Sequence, residues 1–119
     1  PLDREPGVPM PAPDRSAVPL SRAHRLLNHG PTVLVSTAFA GRRNIMAAAW
    51  VMPLDFDPPK VAVVLDKSTW TRELVEASRC FALNVPTRAQ VDLTQALGST
   101  SGREMYEREA RDKFDAFAL

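Results

Sequence analysis

Runs of apolar and β-branched residues predict the strands of this chain. The first covers residues 31–39 (PTVLVSTAF), and a turn at 40–43 connects it to small and apolar residues at 44–52. Two such segments on either side of a turn predict a β-hairpin. Residues 61–65 (VAVVL) are an uninterrupted apolar run, which predicts a strand buried on both faces or lining a barrel. A further strand is predicted at 81–85.

Apolar positions at helical spacing predict helices between and after these strands. The predicted helical segments are residues 20–29, 70–78, 88–97 and part of 103–117. Ser21 is the expected cap of the first helix, and Gly30 suits the left-handed position at its end. The Asp-Pro-Pro sequence predicts a loop at 54–59, because proline interrupts regular elements. About four strands with peripheral helices favour a mainly antiparallel β-barrel.

The N-terminal segment differs in composition from the rest of the chain. Proline recurs through residues 1–19, where large apolar residues are scarce. Since proline lacks a backbone donor and favours extended backbone before it, we predict an extended N-terminal arm. The remaining residues, 20–119, suffice for one domain and are too few for two.

Charge, hydropathy and cysteine content narrow the classes of partner. The formal net charge is +1, with acidic and basic residues interspersed, so no strong field attracts nucleic acid. No apolar run approaches the roughly 20 residues that cross a bilayer, and no signal-peptide core is present. The single cysteine, Cys80, is expected to be a semi-buried structural thiol. These features predict a cytoplasmic protein that binds neither nucleic acid nor membrane.

One stretch concentrates candidate binding chemistry. The hydroxyl-rich sequence at 66–71 (DKSTWT) opens a predicted helix, whose free N–H groups and dipole can bind an anion. The same residues also fit an ordinary helix cap, which is commoner. The three alanines at 47–49 either leave the backbone open to a planar ring or simply pack tightly. Trp50 is either a wall of such a site or a core residue.

Three segments, in this order and spacing, resemble the flavin reductase-like family. They read GRRNIMAAAWVMP, DPPKVAVVLDKSTWTREL and FALNVP, and the resemblance runs from about residue 31 to the end of the chain. This family consists of FMN-binding split barrels and includes flavoredoxin-type proteins. The resemblance implies an antiparallel Greek-key split β-barrel, of which this chain carries the N-terminal portion.

The resemblance also implies FMN as cofactor and an NAD(P)H-dependent flavin reductase as the activity. Hydride would pass from the nicotinamide to FMN, so no catalytic side chain is expected, because the cofactor carries the chemistry. Residues expected at the ring and ribityl chain are Asn44, Met46, Ala47, Ala48 and Trp50, with Asn84 beneath them. Residues expected at the ribityl and phosphate end are Asp66, Lys67, Ser68 and Thr71. Ser101 and Gly102 match a family segment near the ring or the donor.

Other functions remain open at this level. His24 and His29 lie five positions apart, so they do not share a helix face and no metal pair is predicted. Half a barrel would leave strand edges and apolar surface open, which predicts a homodimer. A non-enzymatic FMN-binding electron carrier is one alternative. A cofactor-free dimer that binds a partner through its proline-rich arm is another.

Overall fold

The computed structural model describes residues 16–119, so most of the predicted N-terminal arm lies outside the described residues. The strands are β1 (Val33–Phe39), β2 (Arg42–Ala48), β3 (Val51–Phe56), β4 (Pro59–Val63) and β5 (Ala82–Asn84). The α-helices are α1 (Trp70–Ser78), α2 (Val91–Ser99), α3 (Gly102–Glu109) and α4 (Lys113–Ala116). Two 3₁₀ helices, Leu20–Leu26 and Arg88–Gln90, complete the described elements.

All strand pairs are antiparallel, and they form two sheets. The larger sheet has the order β2-β1-β5, and the smaller is the hairpin β3-β4. A tight turn joins β1 to β2, with Ala40 and Gly41 at φ values of 50° and 77°. Two left-handed residues in succession match the twist of a two-residue hairpin. Antiparallel sheets with surrounding helices agree with the predicted fold class.

Successive side chains of β1 and β2 alternate between the two faces of the larger sheet. Apolar residues pack on both faces. One face carries a cluster of Leu27, Val33, Val35, Ala48 and Val51. The opposite face carries Leu34 and Ile45, packed against Leu97 of α2. The hairpin β1–β2 is therefore the centre of the core.

The predicted loop at 54–59 is wrong, because these residues belong largely to the β3–β4 hairpin. Pro53 and Pro59 both lie in strands of a two-stranded sheet. In such a sheet each strand has one free edge, where a missing backbone donor costs little. The described chain consequently has five strands rather than about four.

Other element boundaries also differ from the sequence prediction. The strand predicted at 61–65 is β4, whose residues are exposed or half-buried rather than buried on both faces. The segment predicted as one strand at 44–52 is divided, since β2 ends at Ala48 and β3 begins at Val51. The first helix is a 3₁₀ helix that follows Pro19, without a side-chain cap from Ser21. The helix predicted at 70–78 is confirmed as α1.

Cys80 is exposed, contrary to the semi-buried position predicted for it. It lies between α1 and β5, where its backbone is hydrogen-bonded: its carbonyl oxygen accepts from Thr37 Oγ1 at 2.7 Å, and its N–H donates to Ser78 Oγ at 3.2 Å. Among the described residues, no helix is long and apolar enough to cross a membrane.

Candidate functional site

A cavity of about 370 Å³ lies where the first residues of α1 and α3 approach strand β2. Its wall contains Asn44 and Met46 from β2, residues 68–71 around the start of α1, and residues 100–104 around the start of α3. Leu97, Gly98 and Lys113 complete the wall. Each helix start exposes backbone N–H groups and the positive end of a dipole. The cavity therefore has the electrostatic character of an anion site.

The start of α1 is organised by its own polar side chains. Thr69 is the N-cap, and its Oγ1 accepts a hydrogen bond from Arg72 N at 3.3 Å. Asp66 Oδ1 accepts hydrogen bonds from both the hydroxyl and the amide of Ser68, at 2.6 and 2.8 Å. These two bonds, the hydroxyl first, lower the pKa of Asp66. Asp66 thus shapes the turn before the helix and already engages the Ser68 hydroxyl.

The start of α3 approaches β2 closely because residue 102 is glycine. Ser101 is the N-cap, with its Oγ accepting a hydrogen bond from Glu104 N at 3.3 Å. Gly102 is buried. A Cβ atom at Gly102 would overlap Asn44 Oδ1 and lie 2.8 Å from Asn44 Cγ. The missing side chain is therefore what allows the helix to contact Asn44.

Asn44 and Thr71 form a buried polar pair at the base of the cavity. Asn44 Nδ2 donates to Thr71 Oγ1 at 2.8 Å, and the residues are 4% and 0% exposed. Within the described residues, Asn44 Oδ1 has no hydrogen-bond partner. Since the threonine hydroxyl can donate or accept, either orientation of the amide leaves one polar atom of Asn44 unpaired. Buried polar atoms are usually paired, so a ligand that supplies the partner is the natural explanation.

Lys113 brings a buried cation to the same cavity. The residue is 2% exposed, and its Nζ donates to Leu97 O at 2.7 Å and to Ile45 O at 2.9 Å. Burial lowers the pKa of Lys113 to about 8. The adjacent Asp112 is paired with Arg43 Nε at 2.7 Å.

A second cavity, of about 800 Å³, adjoins the first along β2 and shares Gly98 with it. Ala47 lies in its wall, as do His29, residues 85–88 and the exposed side of α2. Asn44 and Ala47 both belong to β2 and lie in the walls of different cavities. An elongated ligand lying along β2 could reach both.

The structure brings together some of the predicted site residues and separates others. Asn44, Met46, Ser68 and Thr71 share the smaller cavity, and Ser101 and Gly102 lie there too. Ala47 lines the larger cavity. Five predicted residues line neither of these cavities: Ala48, Trp50, Asp66, Lys67 and Asn84. Ala48 is buried in the core, whereas Trp50 is 75% exposed and is not a core residue of the described chain.

Several residues of the cavity wall were not predicted from the sequence, namely Trp70, Leu97, Gly98, Thr100, Arg103, Glu104 and Lys113. Thr69, from the hydroxyl cluster at 66–71, lies in the wall as well. Lys113 stands in a highly charged segment, where lysine is normally solvated. No local pattern distinguishes it from its exposed neighbours. The GSTSG sequence at 98–102 could have been interpreted as a second helix start beside the first.

The family model described as "Flavin reductase like domain" matches residues 25–119. The chain belongs to the flavin reductase-like domain family. It is also 51% identical over 105 residues to the Escherichia coli K12 protein YddH, covering 86% of this chain and 52% of YddH. Membership of the flavin reductase-like family agrees with the resemblance found in the sequence.

Two solved structures are similar to this chain. One is an FMN-binding domain of a flavin reductases-like enzyme from Shewanella baltica OS155, with a TM-score of 0.73 and 57% identity. That match covers 75% of this chain and 47% of the Shewanella chain. The other is flavoredoxin of Desulfovibrio vulgaris (Miyazaki F), with a TM-score of 0.65, 36% identity, and coverage of 76% and 46%. The chain spans about half the length of these three relatives.

Proposed function

We propose that this chain binds FMN in the paired cavities along β2 and takes part in FMN-dependent oxidoreduction. The observation that carries the proposal is the buried Asn44 with one unpaired polar atom, set against a glycine and between two helix starts. A phosphate-bearing flavin matches this site in charge and in hydrogen-bonding capacity. Family membership supports the same ligand.

The smaller cavity is the proposed position of the phosphate and the ribityl chain. Free N–H groups at the starts of α1 and α3 would donate to phosphate oxygens. Thr71 accepts from Asn44 and keeps its own hydroxyl hydrogen available. Asp66, being anionic and already bonded to Ser68, suits the ribityl hydroxyls better than the phosphate. Lys67 would add positive charge at the rim.

Strand β2 is the proposed support of the ring. Within the described residues β2 is an edge strand, because β1 is its only neighbour in the sheet. The carbonyl oxygen of Ile45 accepts a hydrogen bond from Lys113 on the side of β2 that faces away from β1. By the alternation of antiparallel pairing, the backbone groups of Ala47 face the same free edge. They would hydrogen-bond the ring, with Met46, Ala48 and Trp50 before and after Ala47 along the chain. Asn84, which was expected beneath the ring, lies on β5, on the other side of β1 from this edge.

A nicotinamide, NADH or NADPH, is the proposed electron donor. Bound FMN would supply the hydride-accepting ring, so the protein needs only to orient two flat molecules and exclude water. The larger cavity has room for a second molecule and carries Arg88 in its wall. The positive charge of Arg88 suits a dinucleotide phosphate.

An electron carrier without reductase activity is the second candidate, supported by the similarity to flavoredoxin. Both candidates are consistent with an FMN site. They differ in whether a nicotinamide reduces the bound flavin. A cofactor-free interaction module would leave the unpaired atom of Asn44 without an explanation.

We also propose a cytoplasmic homodimer built from residues 20–119, with 1–19 as an arm. Exposed apolar side chains on the outer face of β3 support the dimer, namely Met52, Leu54 and Phe56, at 56%, 60% and 59% exposure. Apolar surface in a contiguous patch commonly marks an interface. The single cysteine fits a reducing compartment.

The deciding experiment is titration of the purified protein with FMN, followed by visible absorbance and flavin fluorescence. Saturable binding supports the proposed site, and its absence contradicts it. NADH or NADPH is then added to the loaded protein under anaerobic conditions. Bleaching of the flavin band identifies a reductase, whereas an oxidised spectrum that only chemical reductants bleach identifies a carrier.

A further inference from the structure

We propose that Lys113 determines the preference of this site for a phosphate-bearing flavin, by holding a positive charge beneath the cavity. This inference rests on the proposed FMN site and assigns the phosphate end a residue from the C-terminal segment of the chain. The supporting observations are the position of Lys113, its two hydrogen bonds and the charges around it.

Hydrogen bonds to two different elements fix the position of the Lys113 ammonium. Its Nζ donates to Leu97 O in α2 and to Ile45 O in β2, at 2.7 and 2.9 Å. An ammonium has three donors, so these bonds leave one available. Lys113 also lines the cavity, together with the starts of α1 and α3. Its charge therefore acts on the same space as the two helix dipoles.

Acidic groups of α4 and α1 near Lys113 are engaged with other cations. On α4, Asp112 and Asp115 both pair with Arg43 of β2, at 2.7 and 3.2 Å. On α1, Glu73 pairs with Arg103 of α3. Glu104 of α3 lines the cavity but is exposed.

Among residues 16–119, no carboxylate forms an ion pair with Lys113. The ion pairs found in this part of the chain involve Arg43, Arg72, Arg103 and Arg111 as cations. A buried charge without a counterion is unfavourable. A phosphate in the cavity would provide the missing negative charge, and the lysine would in turn favour the dianion.

The proposal predicts that phosphate recognition depends on pH in a specific direction. Burial lowers the pKa of Lys113 to about 8, so in the free protein its charge is lost as the pH rises through that value. A bound dianion favours the charged form, so binding of FMN should weaken above about pH 8. Riboflavin shares the ring and the ribityl chain but lacks the phosphate. The ratio of the two affinities therefore reports the phosphate alone.

The experiment measures dissociation constants for FMN and riboflavin by fluorescence titration between about pH 7 and about pH 9.5, where ordinary carboxylates and arginines do not titrate. All proteins carry Cys80→Ser, which removes the single thiol of the chain. We compare the parent, Lys113→Met, Lys113→Arg, and Lys60→Met as a control for loss of an exposed lysine on β4. Inorganic phosphate serves as a competitor for the phosphate subsite.

In the parent, we expect a preference for FMN that falls by about tenfold as the pH rises across this range. Lys113→Met should lose about tenfold to a hundredfold in FMN affinity, retain riboflavin, and show no pH dependence in the ratio. Lys113→Arg should keep the preference at every pH, because arginine stays charged. Lys60→Met should behave as the parent.

The outcomes separate this inference from the proposed function. A parent that binds neither flavin overturns both. A parent that prefers FMN equally at every pH, or a Lys113→Met protein that loses both flavins by the same factor, overturns the role of Lys113 and leaves the FMN site intact. If Lys113→Met does not fold, the pH profiles of the parent and Lys113→Arg decide the matter by themselves.

Discussion

The base of the cavity and the outer face of the β3–β4 hairpin differ in which side chains they bury and which they expose. Around the cavity, polar side chains are buried: Asn44, Thr71 and Lys113 are 4%, 0% and 2% exposed. On the hairpin, apolar side chains are open to solvent, with Leu54 at 60% exposure. Each arrangement is unfavourable for an isolated chain.

This contrast indicates two different kinds of partner. Buried polar groups are stabilised by a ligand that completes their hydrogen bonds and charge. Exposed apolar side chains are stabilised by a surface that removes them from water. We therefore assign the first region to a small anionic molecule and the second to a protein surface. The predictions below test each assignment separately.

The largest expected effect follows from substitution of Gly102. In Gly102→Ala the new Cβ would overlap Asn44 Oδ1, so α3 or Asn44 must move. We expect FMN binding to weaken by roughly a hundredfold and unfolding free energy to fall by about 1–3 kcal/mol. Titration with FMN and urea denaturation measure the two quantities.

Gly98→Ala is the matched control for this substitution. Its Cβ would lie 3.1 Å from Ala47 Cβ, a contact that small shifts can relieve. FMN affinity should therefore change much less. Equal losses in the two variants would mean that contact with Asn44 is not what residue 102 provides.

Thr71→Ala is expected to have the next largest effect. Loss of the hydroxyl removes the proposed phosphate contact and leaves Asn44 Nδ2 without its acceptor. FMN affinity should fall about tenfold to a hundredfold, with a stability loss of about 1–3 kcal/mol. Riboflavin should bind the variant and the parent about equally, and Thr71→Ser should restore FMN. A parallel loss of riboflavin would assign Thr71 to the ring or to the fold alone.

The hairpin assignment is tested by Leu54→Glu. A charge on the apolar face of β3 should raise the dimer dissociation constant by about tenfold or more, since the charge would be desolvated at the interface. Folding of the monomer should change by about 0.5 kcal/mol at most, because Leu54 is exposed. Light scattering over a dilution series measures the dimer. Val91→Glu, which alters an apolar residue 65% exposed on α2, is the control.

A compact parent that remains monomeric at micromolar concentration would contradict the dimer. In that case the exposed face of β3 needs another explanation. The assignment of the cavity would be unaffected, because its polar residues come from one chain.

The smallest effect concerns Trp50, which lies between the end of β2 and the start of β3. If it borders the flavin ring, its fluorescence should fall when FMN binds. Trp70 is buried against Tyr106, at a ring-centroid distance of 5.6 Å, so the measurement uses Trp70→Phe. Unchanged emission at saturation would assign Trp50 to the hairpin surface instead.

The sequence alone predicted the elements that depend on local signals. The turn between β1 and β2, the helix at 70–78 and the start of α1 at its hydroxyl cluster all follow from residue preferences within a few positions. The family was also evident, because several local motifs occur in the right order. Local chemistry is sufficient where the deciding interactions lie between near neighbours in the chain.

Tertiary structure alone decided which residues share a space. The second helix start lies beside the first only in the folded chain. The bond of Lys113 to Ile45 spans 68 positions, and the contact of Gly102 with Asn44 also joins residues that are distant in sequence. The β3–β4 hairpin formed despite its prolines because each strand has a free edge. Burial and edge position are properties of the packed chain, so no local pattern could reveal them.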